Sequence, residues 1–229
     1  VTVFSSIVVA ALAGGVFAVV AAALTLALRA AWISRLVSFA VGALLGAVFI
    51  ELLPHALEQA SAERVMVTVL IGLLAFFLLE KLVLWRHSHG HDLHREDEDE
   101  SEHDHALHAH DHGRSGLMIL IGTAVHNFCD GIVIAAAFLA DPRLGVATTL
   151  AIVAHAVPQQ VGDFAVLLHS GFRKAKAFAY NVSAGVATLV GALAGYAALA
   201  NTQQILPTVL AIAAASLLYV AVADLIPSL

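Results

Sequence analysis

Charge is scarce in this sequence. Lys, Arg, Asp and Glu make up 12% of 229 residues, where a soluble domain carries about 25%. Hydrophobic residues make up 60%, and the mean hydropathy is +0.90. That balance excludes a cytosolic enzyme, a disordered tail and a nucleic-acid binder. Cysteine is nearly absent too. Cys129 stands alone, which excludes an internal disulfide framework and a cysteine-only zinc site. No basic stretch precedes the first hydrophobic segment, which is also too long for a signal peptide.

What is abundant is long apolar sequence. Crossing about 30 Å of hydrocarbon takes roughly 20 residues of helix. Seven segments qualify, at about 3–28, 36–56, 65–85, 116–140, 144–169, 175–200 and 205–227. The expected fold is an all-α, polytopic membrane helix bundle. Its parts are transmembrane helices one to three over 1–85, a loop over 86–115, and helices four to seven over 116–229. The chain starts at Val1 rather than Met and stops at Leu229 as a hydrophobic segment ends. Trimming at one or both ends is therefore expected.

Basic residues orient such a bundle, because cytoplasmic loops collect Lys and Arg. One alternating set of connections holds Arg29, Arg35, Lys81, Arg86, Arg95, Arg114, Arg173, Lys174 and Lys176; the other holds only Arg64 and Arg143. The expectation is a cell-membrane protein (inner membrane, for a bacterial source) with its N-terminus outside and loop 86–115 in the cytoplasm. Between Asp92 and Asp111 that loop gathers nine of the 17 acidic residues. His87, His89, His91, His94, His103, His105, His108, His110 and His112 surround them. So polar a tract buries no apolar face and is expected to be disordered. Closely spaced imidazoles and carboxylates gather Zn²⁺ or similar cations weakly and in many arrangements. A plain solvated linker is the alternative.

Ionisable groups at membrane depth are costly and point to function. In the fourth segment His126 and Asp130 lie one helical turn apart and share a face, with Asn127 flanking it. Imidazole, carboxylate and amide oxygen make half a coordination shell for a divalent transition metal. A lone His–Asp pair is more often a satisfied hydrogen bond, but three ligand types within five residues favour metal. The fifth segment offers His155, Gln159, Gln160 and Asp163 around Pro158. Proline leaves the carbonyl of Ala154 without its helical partner, so a loosened turn is expected there. Two further acids recur in one phrase, Glu51-Leu-Leu-Pro54 and Asp224-Leu-Ile-Pro227. Running in opposite membrane directions, they suggest an inverted repeat, with the acids at the mouths of a pathway or only capping helix ends. In segment six Asn181, Ser183 and Thr188 are polar among small residues; these read mostly as packing, and permit a homodimer without requiring one.

These motifs resemble the ZIP family of divalent-metal transporters over nearly the whole chain. The likeness is greatest to the branch with an intracellular-organelle zinc transporter and its bacterial relatives. The family's fourth helix carries His-Asn-Phe-x-Asp-Gly, here His126 to Gly131. Its fifth reads like His-Glu-x-Pro-His-Glu-x-Gly-Asp, here His155-Ala-Val-Pro-Gln-Gln-Val-Gly-Asp163. The His-rich loop and the Leu-Leu-Pro and Leu-Ile-Pro phrases are family habits as well. The resemblance implies eight helices, the last missing here, and metal held midway across the membrane between helices four and five. It also implies a block of helices sliding against the rest, as in an elevator. Carried over, the ligands are His126, Asn127, Asp130, His155 and Gln159, with Glu51, Gln160, Asp163, Asn181 and Asp224 as further candidates. Zn²⁺ is the implied substrate, and mixed nitrogen and oxygen donors also suit Cd²⁺, Fe²⁺ or Mn²⁺.

Ala156, Gln159 and Gln160 depart from the family pattern, replacing acids or a histidine. A neutral site attracts a dication less strongly, so the family's second metal position should be weak or absent. Replacing Ala156 by Glu should tighten binding. Rival readings are a cation-diffusion exporter, which would need a soluble C-terminal domain, an intramembrane ceramidase-like zinc hydrolase, and a transport-impaired metal sensor. A hydrolase would hold its metal near one interface, where water and headgroups reach. Transport needs the ligands at mid-membrane, where these motifs fall.

Overall fold

A computed structural model describes residues 2–25, 30–88, 104–169 and 171–228, with no strand among them. The helices are α1 (Val3–Thr25), α2 (Ala30–Gly46), α3 (Leu53–Gln59), α4 (Ala62–Ser88), α5 (Asp104–Ala140), α6 (Pro142–His169), α7 (Lys174–Leu199) and α8 (Leu206–Tyr219). A π-helical turn over Ala47–Leu52 joins α2 to α3 in one rod, and another over Val220–Leu225 extends α8. The described residues thus form seven rods, one for each expected segment. Six helices are long and apolar enough to cross a membrane, and α1 contributes a shorter apolar stretch over Val3–Phe17.

Within segment 86–115, the described residues 86–88 continue helix α4 and 104–115 belong to α5. Ala106, Leu107 and Ala109 are good helix formers. The acidic run from Glu96 to Glu100 lies outside the described residues. Helix α6 continues through Pro158 from Pro142 to His169, so the proline does not end the helix; it still withholds the N–H that would reach the Ala154 carbonyl.

Apolar side chains point both ways, as a lipid solvent allows. Leu70, Ile71, Leu74, Phe77 and Leu78 of α4 are exposed on the outer face, while Leu44, Leu52, Ile134, Leu210 and Leu217 fill the interior. Packing sorts the rods into two blocks. Helices α1, α5, α6 and α7 pack on one another; α2, α3, α4 and α8 form the second block. The blocks meet chiefly where α2 and the π turn of its rod cross α6. Closest of all are α5 and α7. A Cβ at Gly131 would collide with the Thr188 carbonyl, and one at Gly191 with the Phe128 carbonyl. Only hydrogen at both positions lets these backbones touch.

The repeated acid-Leu-x-Pro phrase has a structural counterpart. In each copy the residue just before proline donates to the carbonyl five residues back: Leu53 N–H to Val48 O, and Ile226 N–H to Ala221 O. Proline cannot donate, so a turn widened by one residue is tolerated there. The end of each rod lies against the start of the other, with α3 on α8 and the Val220–Leu225 turn on α2. The two copies are therefore antiparallel, as an inverted repeat requires.

Candidate metal centre

His126 and Asp130 reach the α5–α6 seam from one face of α5, and His155 meets them from α6. His126 Nε2 lies 3.2 Å from His155 Nε2. Asp130 Oδ2 stands 3.5 Å from His126 Nε2 and 3.5 Å from His155 Nε2. Donors about 2.0–2.1 Å from a tetrahedral zinc ion lie about 3.3 Å from each other. The three atoms therefore have close to the mutual spacing of three corners of such a tetrahedron. No other cluster of three or more His, Cys, Asp or Glu side chains converges in this way among the described residues.

The surroundings fix the donors. His155 is fully buried, Asp130 is 3% exposed and His126 is 20% exposed. His155 Nδ1–H donates to the Ala151 carbonyl at 3.3 Å, which leaves the lone pair of Nε2 facing the cluster. His126 Nε2 and His155 Nε2 lie within hydrogen-bond distance of each other. Gly131, beside Asp130, lets α7 press on the back of α5 and hold the carboxylate in place.

Other candidates fall elsewhere. The Asn127 amide N–H donates to the Thr123 carbonyl at 2.8 Å, and its oxygen accepts the Thr188 hydroxyl at 3.2 Å. It braces α5 against α7 instead of joining the triad. Gln159, half-buried one turn after His155, makes no hydrogen bond to the triad. Gln160 is buried with its Oε1 unpartnered, and its backbone carbonyl accepts the Asn181 side-chain N–H at 3.3 Å. Gln160, Ala156, Asn127 and Thr188 help line a cavity of about 10 Å³, room for about one water. Asp163 accepts the Thr123 hydroxyl at 2.8 Å. Glu51 lines a groove of about 320 Å³ where α2 crosses α6, beside Ala147 and Ala151. The backbone of Asp224 lies in the second π turn, and its side chain is outside the described residues. Thr123 escaped the sequence reading and Thr188 was read only as packing, since a threonine in an apolar helix carries no signal of a partner 40 or 61 residues away.

The fold is that of a helical membrane protein, with a largely buried cluster of three ligand-type side chains, His126, Asp130 and His155, shared by two helices. The chain belongs to the ZIP zinc transporter family, whose model matches residues 1–229. It is 30% identical over 217 residues to zinc transporter ZIP13 of Pongo abelii, covering 87% of this chain and 60% of that protein. Over 152 residues it is 34% identical to zinc transporter ZIP10 of Mus musculus, covering 66% of this chain and 18% of that one. It is 39% identical over 114 residues to zinc transporter ZIP4 of Homo sapiens, covering 49% and 17% respectively. The chain thus spans between about a sixth and three-fifths of these relatives.

Proposed function

We propose that this chain carries a divalent transition metal, Zn²⁺ foremost, across a bilayer through the His126–Asp130–His155 centre. The observation that carries the reading is the triad's depth. His155 lies midway between Pro142 and Leu168, the ends of its span. That position suits a translocation site and is poorly placed for hydrolysis at an interface. One carboxylate and two neutral imidazoles favour zinc, and Cd²⁺, Fe²⁺ and Mn²⁺ fit the same donors.

The two-block packing supports an elevator-like movement. Block α1, α5, α6 and α7 holds the whole triad and meets the other block chiefly along one face of α6. Glu51 lies in the groove between blocks with Ala151, one helical turn before His155. The uneven distribution of Lys and Arg supports an N-terminus outside and a His-rich segment in the cytoplasm, where that segment would receive metal carried inward. The neutral side chains of Ala156, Gln159 and Gln160 support a single ion per centre.

The deciding experiment is zinc uptake into proteoliposomes loaded with a zinc-sensitive dye, for the unchanged chain and His126→Ala. Uptake by the first and not the second supports the reading. Equal uptake by both refutes the site, and absence of uptake with metal still bound points to a sensor.

A further inference from the structure

One carboxylate in the α5–α6 seam lies outside the triad. Asp163 is the only acid in α6 and stands two turns beyond His155, about 12 Å along the axis. Its Oδ2 accepts the hydroxyl of Thr123 at 2.8 Å. Thr123 in turn sits three residues before His126 on α5, about 4.5 Å along that axis. Asp163 thus lies next after His126 along the seam, at the end where α5 begins and α6 finishes. That is the end bearing the His-rich segment.

His155 is 0% and Asp130 3% exposed, and His126 is 20% exposed. Asp163 is half-buried like His126, with the buried Thr123 beside it, and is the carboxylate that α6 offers beyond His155 toward this end. Only one Asp163 oxygen has a partner among the described residues, and that partner is a hydroxyl rotor. A threonine hydroxyl can swing its hydrogen away and release the oxygen it was bonded to. Asp163 Oδ2 can thus be freed as a donor without moving either helix.

We propose that Asp163, with Thr123 beside it, is a relay ligand that receives the divalent cation as it leaves the triad toward the His-rich end. This rests on the triad being the transport site. In the exchange, Asp163 oxygen replaces a triad donor on the ion, and the Thr123 hydroxyl gives up its bond to the carboxylate. A relay governs the rate of passage; a structural pin between helices would govern stability.

The test compares Asp163→Asn, Thr123→Val and His126→Ala in the full chain, using Zn²⁺ itself. Uptake is followed in dye-loaded proteoliposomes, with equilibrium Zn²⁺ binding and thermal stability in detergent. Asp163→Asn should lower the maximal uptake rate about tenfold while Zn²⁺ affinity stays within about twofold. Thr123→Val, which frees the carboxylate, should leave uptake at or above that of the unchanged chain. Unaltered uptake in Asp163→Asn would overturn the proposal. So would parallel losses of uptake and stability in both variants, which mark a pin. If Asp163→Asn does not assemble, Thr123→Val decides alone: sustained uptake supports the relay and a fall overturns it. Normal uptake by His126→Ala would be a different failure, that of the triad reading.

Discussion

Replacing Asp130 by Asn removes one negative charge from the centre and almost nothing else. The side chain keeps its shape and one oxygen, and Gly131 still seats α5 against α7. A dication and a carboxylate about 3 Å apart attract by roughly 11 kcal/mol at an effective dielectric of about 20. Dehydrating the two takes back several kcal/mol for each. A net effect of about 3–4 kcal/mol remains, or roughly two to three decades in Kd. The carboxylate is 3% exposed, so solvent screens little of it. Competition titration of Zn²⁺ between the purified chain and a chromophoric chelator measures the change directly. Weakening by less than about threefold would refute the reasoning, because the ion could not then lie against Asp130 Oδ2. Loss of binding together with loss of the folded state would be separated by thermal unfolding without metal, where the variant should resemble the unchanged chain.

Gly131→Ala pushes a methyl into backbone that cannot yield and should destabilise the bundle by about 1–3 kcal/mol; Gly42→Ala, with open space around it, should leave the unfolding temperature unchanged. Thr188→Val strands the buried Asn127 oxygen, at a cost of about 1–3 kcal/mol seen in thermal unfolding. Zinc affinity should stay close to normal in that variant, and a fall as large as in His126→Ala would make Asn127 a ligand after all. Ala156→Glu brings a carboxylate into a cavity sized for water. Unfolding temperature should drop while zinc affinity rises about tenfold; no tightening in a titration would show that this wall does not face the ion.

Spans were legible because lipid demands an unbroken apolar run, and each of the seven runs corresponds to a rod. Half of the centre was legible as well. A spacing of four puts His126 and Asp130 on one face whatever the helix packs against. His155 needed the second motif, since nothing local says that α6 turns it toward α5. Asn127 shows the limit: its residue type suggests a ligand, yet Thr188, 61 residues away, takes its oxygen. Only packing decides between those uses. The end of the His-rich segment was hard for another reason. Its composition disfavours a core, while Ala106, Leu107 and Ala109 still favour helix beyond the membrane span.

The π turns bear on how one rod serves two blocks. Each residue added to a helix advances everything after it by about 100° around the axis. Helix α2 rests on α6, and α3, beyond the widened turn, rests on α8. These are different compass bearings on one continuous rod, and the extra residue within Ala47–Leu52 sets the offset between them. Excising one residue there would restore an even phase and swing α3 away from α8 while α2 kept its place. A shape that one proline tolerates thus lets a single rod rest on α6 of one block and on α8 of the other.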